Sequence, residues 1–457
     1  MGFSESAGQA TSEGRPASFI SRTTDSIRTA LAPARARVGM LEVDTRLIGM
    51  IGALVIIWVG FNIAGHGTFL TARNLWNLSV QSASIAIMAT GMVMIIVSRN
   101  IDLSVGSMLA FLGYTMAMLQ SVWLPQLVGD QPQPWIWIVT IVIGLVLGAF
   151  VGGFQGVLVA YAGVPSFIVT LGGLLSIRGV VWYLSSGAAV SGLDANFQLI
   201  GGGAQGSLGG PLTWALAIVG CIAIVGFLIN GRRQRRRFGF PVRPMWAEVL
   251  LGVVGCVVVL GIANFANNNF WPEGLADRIA AQQNWGPKPA GGWHIPAGFP
   301  NPLILLLVVT LVMTFIANRR RFGRYVYAYG GNPDAAELAG INTRWTILKT
   351  YVLMGVLCAL AAAIASARLN GATLDVGQSY ELYVIAAAVV GGTSFAGGIG
   401  TIPGAVLGAF VLAALAYGLS FIGVNSPGQN VVAGIVLILA VGFDTLNRRR
   451  GTTASAR

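Results

Sequence analysis

Two short runs set hydroxyls, a carboxylate and flexible backbone directly against long apolar stretches, and there this chain could do chemistry. The first is Ile101-Asp102-Leu103-Ser104-Val105-Gly106-Ser107. The second is Gly391-Gly392-Thr393-Ser394-Phe395-Ala396-Gly397-Gly398-Ile399-Gly400-Thr401, after which Pro403-Gly404 opens another apolar run. Irregular backbone at membrane depth survives only where it is packed in protein or lines a wet cavity. A pair of such breaks, one in each half, has the pattern of a translocation path. The same residues also suit tight turns between helices at the cytoplasmic face, and both readings stay open. Asp102, Ser104, Ser107, Gly392, Thr393 and Ser394 are the candidates these runs supply.

Arg178 joins them. In Leu174-Leu175-Ser176-Ile177-Arg178-Gly179-Val180-Val181-Trp182 it stands near mid-run, where a guanidinium costs at least about 2.5 kcal/mol on insertion scales and calls for a partner inside a bundle. Asp102 and Glu381 are the carboxylates available. If the span instead begins later, Arg178 reaches an interface. Glu381, close to Tyr380 and Tyr383, suits an outer mouth or a helix start in the headgroup zone.

A third polar run, Gly330 to Gly340, reads as a short helix with its punctuation present. Asn332 can cap it, Pro333 sits where the first N–H is unpaired anyway, and Asp334 suits the positive end of the dipole. Gly340 ends it as a left-handed residue would. Ala335, Ala336, Leu338 and Ala339, with Glu337 among them, give a small smooth surface that a groove on another protein could accept. An ordinary connecting loop carries the same capping signals.

What is missing also informs. No Lys follows Gly anywhere, so there is no Gly-x-x-x-x-Gly-Lys-Ser/Thr phosphate loop. His66 and His294 are the only histidines, which leaves no catalytic triad or zinc cluster. Cys221, Cys256 and Cys358 lie far apart in apolar runs and read as packing. The expectation is a chain without enzymatic chemistry and without a metal.

The elements that position these residues follow from composition. Of 457 residues 55% are hydrophobic and 10% charged, against about 25% charged in soluble domains. Repeated apolar runs near the ~20-residue length of a membrane-crossing helix make this an all-α polytopic membrane protein. The net charge of +12 is almost all arginine. The arginines cluster beside apolar runs, where they orient spans, so a nucleic-acid partner is excluded. Apolar runs at 47–64, 75–97, 103–119, 135–161, 167–184, 212–229, 247–265, 303–317, 347–367, 382–392, 403–422 and 431–446 give about ten to twelve crossings. Residues 1–45 read as a disordered cytoplasmic tail without a secretory signal peptide. Residues 46–447 read as the membrane domain, with a cytoplasmic basic loop at 231–244, an outer loop at 266–301 and a polar cytoplasmic segment at 319–346. Residues 448–457 close the chain in the cytoplasm. The glycines Gly144, Gly148, Gly152, Gly153 and Gly156, and the alanines 359–363, read as close helix contacts.

These motifs resemble the permease subunits of bacterial ABC importers for simple sugars, the ribose, galactose and xylose group. The likeness runs from about Phe69 to Arg449. It rests on Ser98–Ser107, Val164-Pro165-Ser166-Phe167-Ile168-Val169-Thr170-Leu171-Gly172, Phe322-Gly323-Arg324 with Gly330-Gly331-Asn332-Pro333 and Gly340-Ile341-Asn342, and Gly391–Gly400. The length and the Arg-rich loop after Ile229 look most like xylose-type members. The resemblance implies an importer permease fold with broken helices, in which Asn332–Gly340 is the coupling helix that docks on a separate cytoplasmic ATPase subunit. It implies that the partner uses the ATP and this chain binds no cofactor. It further implies a soluble extracytoplasmic sugar-binding protein, a second permease copy, a monosaccharide substrate and a bacterial plasma membrane location. From the residues alone the competing reading is an ion-coupled secondary transporter, for which only Asp102 and Glu381 are available as ion-binding carboxylates.

Overall fold

The computed structural model describes residues 45–129, 133–203 and 205–436, with isolated positions as far as 442. The expected tails at 1–45 and 448–457, apart from Thr45, lie outside the described residues, as does the end of the closing span. The chain divides into two compact units, one containing residues 222–256 and the other the remaining described residues.

Among the described residues ten helices are long and apolar enough to cross a membrane. They are α1 (Thr45–Ala64), α2 (Ala72–Val97), α3 (Val105–Met118, continued by a π turn and one more helical turn to Val128), α4 (Ile136–Ala160) and α5 (Ser166–Ser185). Then come α6 (Gly209–Arg237), α7 (Met245–Asn267) and α9 (Asn301–Arg319), with the short α8 (Glu273–Gln282) between the last two. After α10 (Arg321–Gly331) and α11 (Pro333–Leu338), the last long pair is α12 (Thr343–Leu369) and α14 (Ile402–Phe421), with α13 (Tyr380–Val390) between them. A further helical stretch at 426–436 begins the expected closing span.

Burial identifies the centre of the larger unit. In α2, 94% of the apolar window is buried, against 6% in α1. Ala83, Ala86, Met88, Ala89, Met92 and Met94 are all fully enclosed, as are Ile87, Val93 and Ile95. The closest helix contact is between α4 and α12. A Cβ on Gly148 would run into the Gly355 carbonyl, one on Gly355 into the Gly148 carbonyl, and one on Gly152 into that of Tyr351. Gly148 and Gly152 are among the glycines the sequence marks for close approach, Gly355 is not, and dispersion between near-touching backbones holds such pairs in lipid.

Three expectations change. The run at 382–392 is a half-crossing. At 1.5 Å per residue α13 covers about 16 Å of a ~30 Å core, and the non-helical segment 373–379 precedes it. That segment starts from β2 (Gly371–Ala372), which pairs antiparallel with β1 (Val190–Ser191). The basic stretch at 231–244 is not all loop, because α6 continues to Arg237, and within the smaller unit Arg232 pairs with Glu248 at 2.6 Å. The loop at 266–301 contains α8, which buries Ala276, Ile279 and Ala280 on one face.

A bulky residue at the α4–α12 contact has nowhere to go. Gly355→Leu is expected to lower the melting temperature and the monodisperse yield in detergent, since overpacking costs about 1–3 kcal/mol. Gly153→Ala, whose Cβ would meet only Val352 Cγ2 at 3.4 Å, should leave both near the parent.

Candidate functional site

The short helix α11 is closed at both ends by the residues that predict it. The Asn332 side chain accepts from the Ala335 N–H at 3.1 Å. At the other end Gly340 takes φ +78°. Its N–H donates to the Glu337 carbonyl at 2.9 Å, and the Ile341 N–H donates to that of Ala336 at 3.1 Å, which is the Schellman pattern. Thr343 Oγ1 donates to Glu337 Oε1 at 2.9 Å, tying α11 to the first turn of α12. Ala336 is buried, whereas Leu338 is 90% exposed and Asp334, Ala335 and Ala339 are uncovered. The result is a rigid knob with an apolar tip.

The knob stands on a knot formed by both sequence breaks. After α2 ends, Arg99 adopts φ +60°. Its Nε donates to the Gly330 carbonyl at 2.7 Å and its Nη2 to that of Gly331 at 2.9 Å. The Gly398 N–H donates to the Val97 carbonyl at 3.0 Å, and the Tyr327 hydroxyl to the Gly400 carbonyl at 2.8 Å. A Cβ on Gly330 would fall on Val97 O, and one on Gly397 would lie 2.5 Å from Arg99 Cγ. The end of α2, the end of α10 and the Gly391–Thr401 loop therefore meet backbone to backbone. Burial and then Glu337 push the Tyr329 phenol above its usual range, while Arg99 pulls it down, so the knot and α11 share one field. Within the loop, Ser394 Oγ accepts from the Ala396 N–H at 3.1 Å; Thr393 is buried and its Oγ1 has no hydrogen-bond partner among the described residues.

The first break folds inward. Asp102 is 1% exposed, and its Oδ1 accepts from the Ser104 N–H at 2.8 Å and the Ser104 hydroxyl at 2.7 Å. Gln155 Nε2 from α4 donates to Ser104 Oγ at 2.9 Å. Ser107 donates to the Leu174 carbonyl of α5 at 2.8 Å.

Arg178 lies apart from these groups. Its Nη1 donates to the carbonyls of Leu374 at 2.7 Å and Val376 at 3.3 Å, in the non-helical stretch before α13. Backbone carbonyls stand where the sequence suggests a carboxylate partner: Asp102 Oδ1 is engaged by Ser104, and Glu381 acts on Arg178 through its field. Carbonyls freed by the break do the work instead. The structure thus sorts the candidates into three places: Asp102, Ser104 and Ser107 on the α3–α4–α5 seam, Gly392, Thr393 and Ser394 at the knot, and Arg178 beside α13. Arg99, Tyr327 and Gln155 escape a reading of the sequence, although an Arg directly after a span and a Gln inside one were available signals. Among the described residues no group of three His, Cys, Asp or Glu could hold a metal ion.

The model of the family described as branched-chain amino acid transport system / permease component matches residues 74–441. The chain is 37% identical over 412 residues to the xylose transport system permease protein of Escherichia coli K12, covering 90% of this chain and 95% of that one. To the ribose import permease protein of the same strain it is 31% identical over 396 residues, covering 86% and 92%. To the galactose/methyl galactoside import permease protein it is 28% identical over 406 residues, covering 88% and 95%. No solved structure matches the chain. With a family match over residues 74–441 and, among the described residues, ten helices long and apolar enough to cross a membrane, the chain belongs to this family of transport permeases and is a multi-pass membrane permease subunit.

Proposed function

We propose that the chain is the membrane half of an ATP-binding-cassette importer that moves a monosaccharide, xylose or a related pentose or hexose, into the cytoplasm. The relatives' names support the sugar: they speak of xylose, ribose and galactose. A separate ATPase subunit uses the ATP, a soluble extracytoplasmic protein delivers the sugar, and a second copy of this chain completes the pore in the bacterial plasma membrane. Both termini face the cytoplasm, a reading supported by Arg319–Arg321, Arg324 and the run Arg232–Arg237 beside apolar helices.

The single observation that carries the mechanism is the double-capped α11 with Leu338 uncovered, standing on the Arg99 knot. Asn332–Gly340 docks in a groove of the ATPase. Closure of two ATPases displaces α11, and the knot passes that displacement to the ends of α2, α13 and α14. Asp102, Ser104 and Ser107 steady the start of α3 while Gly392, Thr393 and Ser394 hinge α13 on α14. Arg178 faces the sugar's path. An ion-coupled carrier fits less well, because Asp102 Oδ1 is already engaged by the Ser104 N–H and hydroxyl. Vesicles holding this chain, a cognate ATPase and a binding protein should show ATP-dependent uptake and ATPase stimulation by one member of a sugar panel. Uphill uptake by the chain alone on an ion gradient would establish the carrier.

Proline at position 340 cannot adopt φ +78° and removes the N–H that closes α11. Gly340→Pro and Glu337→Ala should insert normally yet lose at least ten-fold in uptake, with ATP hydrolysis no longer stimulated by loaded binding protein. Full transport by Gly340→Pro rules out the coupling role.

Arg99→Ala should leave α11 docked but slack. The expected result is more ATP consumed per sugar imported, by several-fold, with Arg99→Lys intermediate because it restores one donor and not the fork. An unchanged ratio in both variants would remove the knot from the coupling route.

A further inference from the structure

Four arginines meet at one corner of the fold with nothing to neutralise them. Arg319 ends α9, Arg320 bridges to α10, and Arg321 and Arg324 belong to the first turn of α10. With Ile316 and Phe322 they line a hollow of about 630 Å³. Its shape comes from Gly323, where a Cβ would strike the Ile316 and Ala317 carbonyls, so α10 folds back against the last turn of α9. Arg324 Nη1 spans the bend by donating to the Arg319 carbonyl at 3.2 Å. All four arginines are exposed, and among the described residues none has a carboxylate partner. The sequence holds no Asp or Glu from 278 to 333. In addition α10 starts without a side-chain cap, which leaves its first N–H groups for an outside acceptor. The corner is built to receive an anion.

What carries the anion follows from the apolar groups beside it. The 19 residues of α9 span about 28 Å at 1.5 Å per residue, close to the ~30 Å hydrocarbon core. Its arginine end therefore stands at the level where lipid head groups begin. Val308, Leu311, Val312 and Phe315 are each exposed by 48% or more. Spaced at i, i+3, i+4 and i+7, they form one apolar stripe that leads to Arg319, one turn beyond Phe315. Arg320 joins the two parts: its guanidinium lies over the Phe315 ring, 4.9 Å from the centroid, turned back toward the stripe. A free phosphate would use the guanidiniums and leave the stripe idle. A phospholipid uses both, with an acyl chain along the stripe and its phosphate among the arginine forks. Four positive charges repel the ammonium of a zwitterionic head group, so the lipid that fits is anionic.

We propose that the α9–α10 corner is a binding site for an anionic phospholipid, which belongs to the cytoplasmic leaflet in the orientation given above.

The test takes the purified full-length chain, stripped of lipid in a neutral detergent, and adds phosphatidylglycerol, phosphatidylcholine or inorganic phosphate. Phosphatidylglycerol is expected to raise the melting temperature by several degrees and to stay on the protein in native mass spectrometry. Phosphatidylcholine and phosphate should do neither. Arg320→Gln/Arg321→Gln should lose the shift and the retained lipid while melting at the parental temperature without lipid. Arg233→Gln/Arg236→Gln removes the same charge from the end of α6 and should keep both. Equal effects of the two lipids, or a shift reproduced by phosphate, overturn the site. An equal loss in the α6 variant makes the effect one of overall charge and overturns it too. So does a phosphatidylglycerol preference that survives in Arg320→Gln/Arg321→Gln; if that variant also stops co-purifying with the ATPase, the corner is a protein contact. Should the double variant not fold, Arg321→Gln alone decides, because its side chain makes no hydrogen bond or ring contact among the described residues. It should need at least three-fold more phosphatidylglycerol for the same shift, and a parental titration overturns the site. The lipid readouts involve neither sugar nor ATP, so their failure leaves the importer reading untouched.

Discussion

Every backbone N–H and C=O that leaves a helix inside a bilayer needs a partner made of protein or trapped water, and this chain leaves helix in three central places. Residues 98–104 are tied down by Asp102, Ser166 and Thr170. Two carbonyls of 373–379 are taken by Arg178. The loop 391–401 is pinned by Val97 and Tyr327. Each exception to helical geometry thus has a named side chain or backbone group that makes it tolerable, and those groups are the polar residues that looked out of place among apolar runs. Asp102, Arg178 and Arg99 serve backbone first. Whatever else they do is built on that duty.

Close packing is what lets so few polar groups suffice. Gly148, Gly152 and Gly355 bring α4 and α12 to carbonyl contact, and the fully enclosed methionines and alanines of α2, with Ile87, Val93 and Ile95, fill the centre. Lipid supplies no hydrophobic drive between helices, so shape has to do it. The glycines at 330 and 397 use the same device for another end. They admit Val97 O and the Arg99 stem, and so weld two distant breaks to the base of the knob.

Local features were legible in the sequence and distant ones were not. Asn332, Pro333 and Gly340 announce α11 because a cap and a left-handed terminus are short-range chemistry. The α4 glycine series announces a contact because its period puts every member on one face. Arg99 announces itself by its place after a span but not its acceptors, since Gly330 and Gly331 are more than 230 residues away. Arg178 misleads for a related reason: a carboxylate is the obvious partner for a buried guanidinium, but a broken crossing frees carbonyls, and no periodicity reveals which segment will break. The half-length of α13 did have a signal, in an apolar run far shorter than a crossing. The amphipathic face of α8 was hidden by the Trp, Pro and Asn around it.

Taken together, the breaks shorten the distance between force and substrate. An unbroken crossing between α12 and α14 would put the Glu381 level and the Gly391–Gly400 loop at unrelated points of a long rod whose middle is clamped by neighbours. As built, α13 begins at the exposed polar face and ends at the knot, with about 16 Å between. Its flanks are held to α14 by Gly408 against the Ala387 carbonyl and by Gly391 against Gly404, contacts between small residues that allow sliding without a change of rotamer. In the importer proposed above, a displacement of the Gly397–Gly400 loop by the end of α10 reaches Glu381 through this one short helix. Such a lever requires that α13 stay helical and that the run of turns at 373–379 before it keep its course. The Arg178 bonds to the Leu374 and Val376 carbonyls hold that segment in place.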